Sequence, residues 1–307
     1  MTTHTADTAS HPGGTAPLAG HTVARIGYGA MQLARLTEDR EGAAGVLRRA
    51  IELGVDHVDT AQFYGHGFVN DLIAATVRSE DNVVVVTKIG ADPNPDGGPL
   101  PMRSAQRPHE LRASVEHNLR ALRLEQIPVV NLRRMDVGPA VPAGPEQSVD
   151  LDDQLAEMIA MREEGLIGGI GLSSITLDVL HRALPAGIAC VQNPYSLLDR
   201  SDEPTVELCV ANGIAWVPYF PLGSAFPGLP KVTDEPAVQA IATDLGTTPA
   251  QVGLAWLLQH TPNTLLIPGT ATIGHLEANL ATATVHLDPH MIAALDAIPT
   301  RTPEQHD

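Results

Sequence analysis

Asp59, Tyr64 and Lys88 have the side-chain types and the spacing of an acid–base unit. The stretch VVVVTKIG (83–90) reads as a strand buried on both faces, ending in Thr87 and Lys88, a polar pair that an apolar sheet does not want. Only Lys88 and Lys231 are lysine, and the other 17 basic residues are arginine. Where arginine is the default, a lysine closing a buried strand suggests chemistry that needs a compact charge responsive to burial. Tyrosine titrates near about pH 10, so a tyrosine that gives and takes protons near neutrality needs a neighbouring cation that favours the phenolate. Lys88 could supply that cation, and Asp59 on the adjacent strand would keep the ammonium charged while partly desolvated. Tyr64 lies in a loop with Gly65 and Gly67 that lets it fold back toward both. The plainer alternatives are a lysine emerging into solvent, a tyrosine packing a pocket wall and an aspartate capping the segment after it.

The elements that must position these residues alternate regularly from residue 25 onward. Strands are expected around 25–29, 57–61, 83–88, 127–133, 168–174, 188–193, 214–220 and 264–270. Helices are expected near 40–53, 69–78, 108–122, 152–164, 176–184, 204–212, 236–260 with an interruption at Pro249, 274–282 and 288–298. Eight strand–helix units at this spacing predict an α/β protein, a single-domain (β/α)8 TIM barrel. An open doubly wound sheet usually shows GxGxxG after its first strand, and here that position reads GYGAMQL. In a barrel, functional groups gather at the C-terminal ends of the strands. Asp59, Lys88, Asn131, Arg133, Ser173, Ser174, Gln192 and Asn193 all fall there, as do most of the ten aromatics.

Composition narrows the function classes. The chain has 307 residues and a formal charge of −17, which argues against nucleic acid and anionic membranes as partners. No apolar run approaches the roughly 18–20 residues of a membrane span. Cys190 and Cys209 lie in apolar surroundings without metal spacing, so structural thiols in a reducing, cytoplasmic compartment are expected. The 13 histidines show neither HxH nor HExxH, so no metal site is expected. Residues 1–20 read as a disordered N-terminal tail, 21–300 as the barrel and 301–307 as a C-terminal tail, with no obligate protein partner evident.

The runs GVDHVDTAQFYG (54–65), VVTKIG (85–90), GGIGLSS (168–174), VQNPYS (191–196), WVPYFPLG (216–223) and IPGTATIGHLEAN (267–279) resemble the motifs of the aldo-keto reductases, in the family's order, from about residue 22 to 298. The resemblance implies a barrel that binds NADP(H) without a Rossmann domain and reduces aldehydes or ketones by direct hydride transfer. It implies that Asp59, Tyr64 and Lys88 are catalytic. The family's fourth catalytic residue is a histidine, and Arg133 stands in its place. Arginine cannot shuttle protons near neutrality, so Arg133 is expected to polarise the carbonyl oxygen or to depress the Tyr64 pKa. Its presence keeps open the alternative of a weakly active or regulatory cofactor-binding member.

The run VVNLRRMDVGP (129–139) resembles a bacterial branch that includes pyridoxal reductase, with Tyr28, Gln62 and Asn131 as candidate substrate contacts. Cofactor contacts implied by the family are Ser173, Ser174 and Gln192 to the nicotinamide carboxamide and Tyr219 stacked on the nicotinamide ring. Leu222, Gly223 and Ser224 match the pyrophosphate loop, and Pro268, Gly269, Thr270, His275 and Asn279 match the adenosine-phosphate segment. The family often has lysine and arginine at the positions of Gly269 and His275. NADP(H) is therefore expected on branch resemblance, with NAD(H) as the less favoured cofactor.

Overall fold

The alternation of side chains along the valine-rich strand organises the fold. In the computed structural model, which describes residues 11–94, 101–138, 141, 144–223 and 230–301, this strand spans Val84–Ile89 and is buried throughout. Val84 and Val86 pack with Val129, Cys190, Ala215, Val217 and Leu265 in one cluster, whereas Val85 and Ile89 join the larger cluster formed with the helices. Successive side chains point to opposite faces, so Lys88 falls on the same inner face as Val84 and Val86, and Thr87 points out toward the helices.

The chain opens with an antiparallel hairpin, β1 (Thr15–Leu18) and β2 (His21–Ala24). The expected tail through residue 20 is thus corrected, because Ala16, Leu18 and Val23 join the inner cluster and cover the end of the barrel opposite Lys88. Their apolar period-two pattern in a short polar stretch was the overlooked signal. Residues 1–10 of that tail, and 302–307 of the C-terminal one, lie outside the described residues. Arg301, expected in the C-terminal tail, is anchored by a bond from its N–H to the Leu198 carbonyl at 2.7 Å and an ion pair with Glu235 at 2.7 Å.

The barrel strands are β3 (Tyr28–Gly29), β4 (His57–Asp59), β5 (Val84–Ile89), β8 (Ile127–Arg133), β9 (Ile167–Ser173), β10 (Ile188–Gln192) and β11 (Ala215–Trp216). They form one parallel sheet in the order β11-β10-β9-β8-β5-β4-β3. The stretch expected as an eighth strand closes the ring through single bridges. Leu265 N–H donates to the Trp216 carbonyl at 2.8 Å, while Leu266 N–H reaches the Arg25 carbonyl and its own carbonyl accepts from Gly27 N–H, each at 2.8 Å. Pro268 has no N–H with which to continue this ladder. Between β5 and β8, in a stretch where no strand was expected, the chain forms a short antiparallel hairpin, β6 (Ala91–Pro93) and β7 (Met102–Ser104).

Ten helices surround the strands: α1 (Arg40–Glu52), α2 (Phe68–Thr76), α3 (Pro108–Leu122), α4 (Leu151–Glu163), α5 (Leu177–Ala183), α6 (Glu203–Ala211), α7 (Pro236–Asp244), α8 (Pro249–His260), α9 (Ile273–Ala281) and α10 (Pro289–Asp296) among the described residues. Their starts follow capping chemistry, with Asp39, Asp150, Thr176, Thr248, Thr272 and Asp288 accepting from first-turn N–H groups. Pro249 opens α8 at a position that needs no N–H, which is why it divides the long helical stretch. None of these helices is long and apolar enough to cross a membrane.

Candidate active site

Inner-face residues at the C-terminal strand ends converge on Lys88. Its ammonium donates to Asp59 Oδ1, to the Thr60 carbonyl at 3.1 Å, and at 3.5 Å, the outer limit of a hydrogen bond, to the Tyr64 hydroxyl. Asp59 Oδ2 accepts from Gln192 Nε2 at 2.8 Å, so both carboxylate oxygens are engaged. Burial works against the Lys88 ammonium, but the Asp59 carboxylate and Tyr64 more than offset it, and its pKa lies above the ordinary lysine value. Tyr64 departs from the sequence expectation. Burial raises its pKa, and the opposing pull of Lys88, with a smaller one from Arg133, offsets this only in part. The phenol is therefore held protonated at neutrality, as a proton donor to a carbonyl oxygen must be.

A buried polar network holds the two strands that carry this pair. Thr60 Oγ1 donates to Asn70 Oδ1 at 2.8 Å, Asn70 Nδ2 to Asn118 Oδ1 at 2.9 Å, and Thr87 Oγ1 to the same Asn118 oxygen at 3.0 Å. Asn118 Nδ2 donates in turn to Gln62 Oε1 at 3.1 Å and to the Ser114 carbonyl at 2.8 Å. Thr60 and Thr87 directly follow Asp59 and precede Lys88, so α2 and α3 pin both ends of the acid–base unit. Sequence reasoning missed this network. The available signal was that polar residues alternating with Asp59 and Lys88 must face the helices and find partners there.

The other expected substrate contacts fare differently. Tyr28 is fully buried in the cluster between strands and helices, with its hydroxyl donating to the Thr270 carbonyl, which corrects its assignment to the substrate pocket. The alternation Ile26, Tyr28 outward and Gly27, Gly29 inward explains why. Gln62 is buried in the asparagine network, a supporting position. Asn131 is fully buried opposite Lys88 in the β5–β8 register, where Oδ1 accepts from Cys190 Sγ at 3.2 Å and Nδ2 has no partner. Met31, just after β3 and 45% exposed, is an apolar residue the sequence reading passed over. Arg133 is half-buried at the end of β8, with Met102 Sδ at 3.4 Å from Nη1. Its carbonyl and that of Gly90 both accept from Gln106 Nε2 at 2.7 Å, which fastens β8 to β5 at the mouth.

Residues expected at the cofactor occupy the adjoining strand ends. Ser173 and Ser174 are buried, and Ser174 adopts a left-handed φ of +55°, a strained conformation for a non-glycine residue. Its hydroxyl lies 3.1 Å from the Tyr219 hydroxyl, and Tyr219 is half-buried at the mouth. Gln192 Oε1 is a buried acceptor with no partner, which fits a carboxamide N–H as its donor. Leu222 and Gly223 are tied to the Lys231–Val232 segment, Gly223 with a φ of +85° that favours glycine. Ser224 lies outside the described residues. Gly269, Thr270, His275 and Asn279 line one cavity of about 340 Å³ together with Thr248 and Gln251 at the start of α8, and Pro268 is buried behind it. Its wall offers hydroxyls, amides and an imidazole but no lysine or arginine among the described residues.

A closed parallel barrel with an Asp–Tyr–Lys cluster at its C-terminal mouth defines an oxidoreductase of one known architecture. The chain belongs to the aldo/keto reductase family, whose sequence pattern matches residues 25–299. It is 42% identical over 284 residues to pyridoxine 4-dehydrogenase of Escherichia coli strain K12, covering 90% of this chain and 95% of that protein, in agreement with the bacterial branch resemblance. An uncharacterised oxidoreductase of Schizosaccharomyces pombe is 32% identical over 291 residues, or 92% of this chain and 89% of its own length. Among solved structures, a thermostable aldo-keto reductase bound to the inhibitor epalrestat superposes with a TM-score of 0.76 at 27% identity, covering 92% of this chain and 98% of the other. A silkworm aldo-keto reductase complexed with NADPH gives 0.72 at 25% identity, covering 93% and 88%.

Proposed function

We propose that this chain is an NADPH-dependent carbonyl reductase that converts an aldehyde to an alcohol, with pyridoxal, reduced to pyridoxine, as the leading substrate. The observation that carries the reading is the Tyr64 phenol 3.5 Å from a Lys88 ammonium that is itself neutralised by Asp59. Bound NADPH supplies a hydride to the carbonyl carbon. Tyr64 gives its proton to the carbonyl oxygen, Lys88 steadies the phenolate left behind, and solvent restores the proton. Asp59 keeps Lys88 charged and in place, and Gln192 holds Asp59 while offering Oε1 to the carboxamide. Tyr219 and Ser174 would bound the nicotinamide, with Ser173 beside them. Gly269, Thr270, His275 and Asn279 would take the adenosine end, with Leu222, Gly223 and Ser224 at the pyrophosphate. Identity to a pyridoxine 4-dehydrogenase over nearly the whole chain supports the substrate. The reading places the enzyme in the cytoplasm, where NADPH is available.

The second reading is a cofactor-binding regulatory member, favoured by Arg133 in the position where the family has a proton-transferring histidine. NADPH consumption against a panel of aldehydes that includes pyridoxal separates the two. The reductase reading expects turnover with pyridoxal among the best substrates. Tight NADPH binding with no aldehyde consumed would leave the regulatory reading standing.

A further inference from the structure

The cluster at the mouth contains a cation that the proton-transfer chemistry does not use. Arg49, Arg103, Arg107, Arg112, Arg134, Arg182 and Arg301 each pair with a carboxylate, and Arg25, Arg162 and Arg200 are satisfied by backbone carbonyls. The Arg133 guanidinium has no carboxylate within ion-pair distance among the described residues. Its one side-chain hydrogen bond there goes to the Met102 sulfur at 3.4 Å, a weak acceptor. None of its N–H groups is buried without a partner, so the fork opens onto the mouth, where it can take a ligand.

The neighbours narrow the ligand. Arg133 stands two residues beyond Asn131, the register partner of Lys88, and is itself the register partner of Ser173, so it lies at the mouth next to the strand end that carries the ammonium and to a residue expected at the nicotinamide. Its charge acts on both Tyr64 and Tyr219. Both phenols are pushed upward by burial and remain neutral, so neither is its counterion. The Lys88 charge is already matched by Asp59. Among the described residues the mouth therefore carries an unmatched positive charge, a planar fork that favours an anionic oxygen. Tyr64 feels that charge, so an oxygen bound by Arg133 would share the mouth with the carbonyl oxygen that Tyr64 protonates.

We propose that Arg133 is a substrate anchor for an ionised oxygen adjacent to the carbonyl, so that the site selects aldehydes bearing an acidic hydroxyl on the neighbouring ring carbon, as in 3-hydroxypyridine-4-carbaldehydes. This rests on the reductase reading and adds to it a specificity determinant that the catalytic trio does not provide. In this role an arginine is better suited than a histidine, because it stays charged across the working pH range and presents two parallel donors. The exchange at position 133 then trades a proton-transferring group for a binding one, and Tyr64 alone protonates the carbonyl oxygen.

The test compares 3-hydroxypyridine-4-carbaldehyde with pyridine-4-carbaldehyde, which differs by the one hydroxyl, using NADPH oxidation by the wild type, Arg133→Lys and Arg133→Met. The wild type is expected to favour the hydroxy aldehyde by about ten- to hundredfold in kcat/KM, mostly through KM, as expected for a charge-assisted hydrogen bond. Arg133→Met should collapse that ratio toward one, and Arg133→Lys should retain part of it. A wild-type ratio near one, or a ratio unchanged in Arg133→Met, overturns the anchor while leaving the reductase reading intact. If no aldehyde is turned over, the reductase reading fails instead, and the anchor is judged by the binding of 2-hydroxybenzoate to the NADPH-saturated protein. Affinity lost by about tenfold or more in Arg133→Met supports it, and equal affinity overturns it. Should Arg133→Met not fold, Arg133→Gln serves in both measurements.

Discussion

The Lys88 ammonium reaches the Tyr64 hydroxyl across 3.5 Å while bonded to Asp59, so the proton donor and the cation that stabilises its conjugate base come from adjacent strands and one loop. This geometry joins the fold to the chemistry. The pair is buried, and its energetics depend on each charge finding its partner.

Removing Lys88 strands the Asp59 carboxylate inside the barrel. Lys88→Met is expected to destabilise the fold by about 3–5 kcal/mol, the cost of breaking a buried ion pair, and to abolish turnover. Asp59→Asn in the same background should recover much of the stability and none of the activity. Urea denaturation of the three proteins measures this, and a Lys88→Met variant as stable as the wild type would contradict it.

The raised pKa of Tyr64 gives the pH dependence its sign. A group that must be protonated to act, with a pKa above its ordinary value, is lost only as pH rises past that higher value. The rate of benzaldehyde reduction should stay level from neutrality into the alkaline range and fall above the ordinary phenol value of about 10. A kcat profile that falls below that value would show that the cations, and not burial, dominate at Tyr64.

Gly171 leaves room for Asn131 inside the barrel. A Cβ there would collide with Asn131 Oδ1 and come within 2.7 Å of Cys190 Sγ. Gly171→Ala should cost about 1–3 kcal/mol as an overpacked core does, and Asn131→Ala should relieve part of that cost. Additive effects in the thermal melts of the single and double variants would argue against the contact.

Both cysteines are shielded. Burial pushes the Cys209 thiol up to about 12 and raises that of Cys190 as well. At about pH 8 neither should react with a thiol reagent until the protein unfolds, because the thiolate is the reacting form. Labelling of the native protein on the timescale of the denatured one would show that the barrel opens.

The strands and helices were legible because the sequence keeps its periods. Valine runs and alternating inward residues mark β5, β8 and β10, and Thr or Asp caps mark the helix starts. The grouping of Asp59, Tyr64 and Lys88 was legible because a polar residue closes each of two adjacent buried strands and a tyrosine follows in the loop after one of them. Several features escaped, the asparagine network between the strands and helices among them. The β1–β2 hairpin is short and polar enough to pass for a tail, and its identity depends on the distant barrel floor that it covers. Tyr28 was assigned by residue type, and its outward parity next to Ile26 overrules that. The direction of the Tyr64 shift depends on how burial weighs against Lys88, a balance of distances that spacing alone does not encode.

The most direct test of the account is Tyr64→Phe, assayed by single-turnover oxidation of bound NADPH on mixing with pyridoxal, alongside titration of NADPH binding. The account predicts a rate lowered by about 10²–10⁴-fold, the usual contribution of a positioned acid, with cofactor affinity nearly unchanged. Oxidation of NADPH by the variant at the wild-type rate would contradict it.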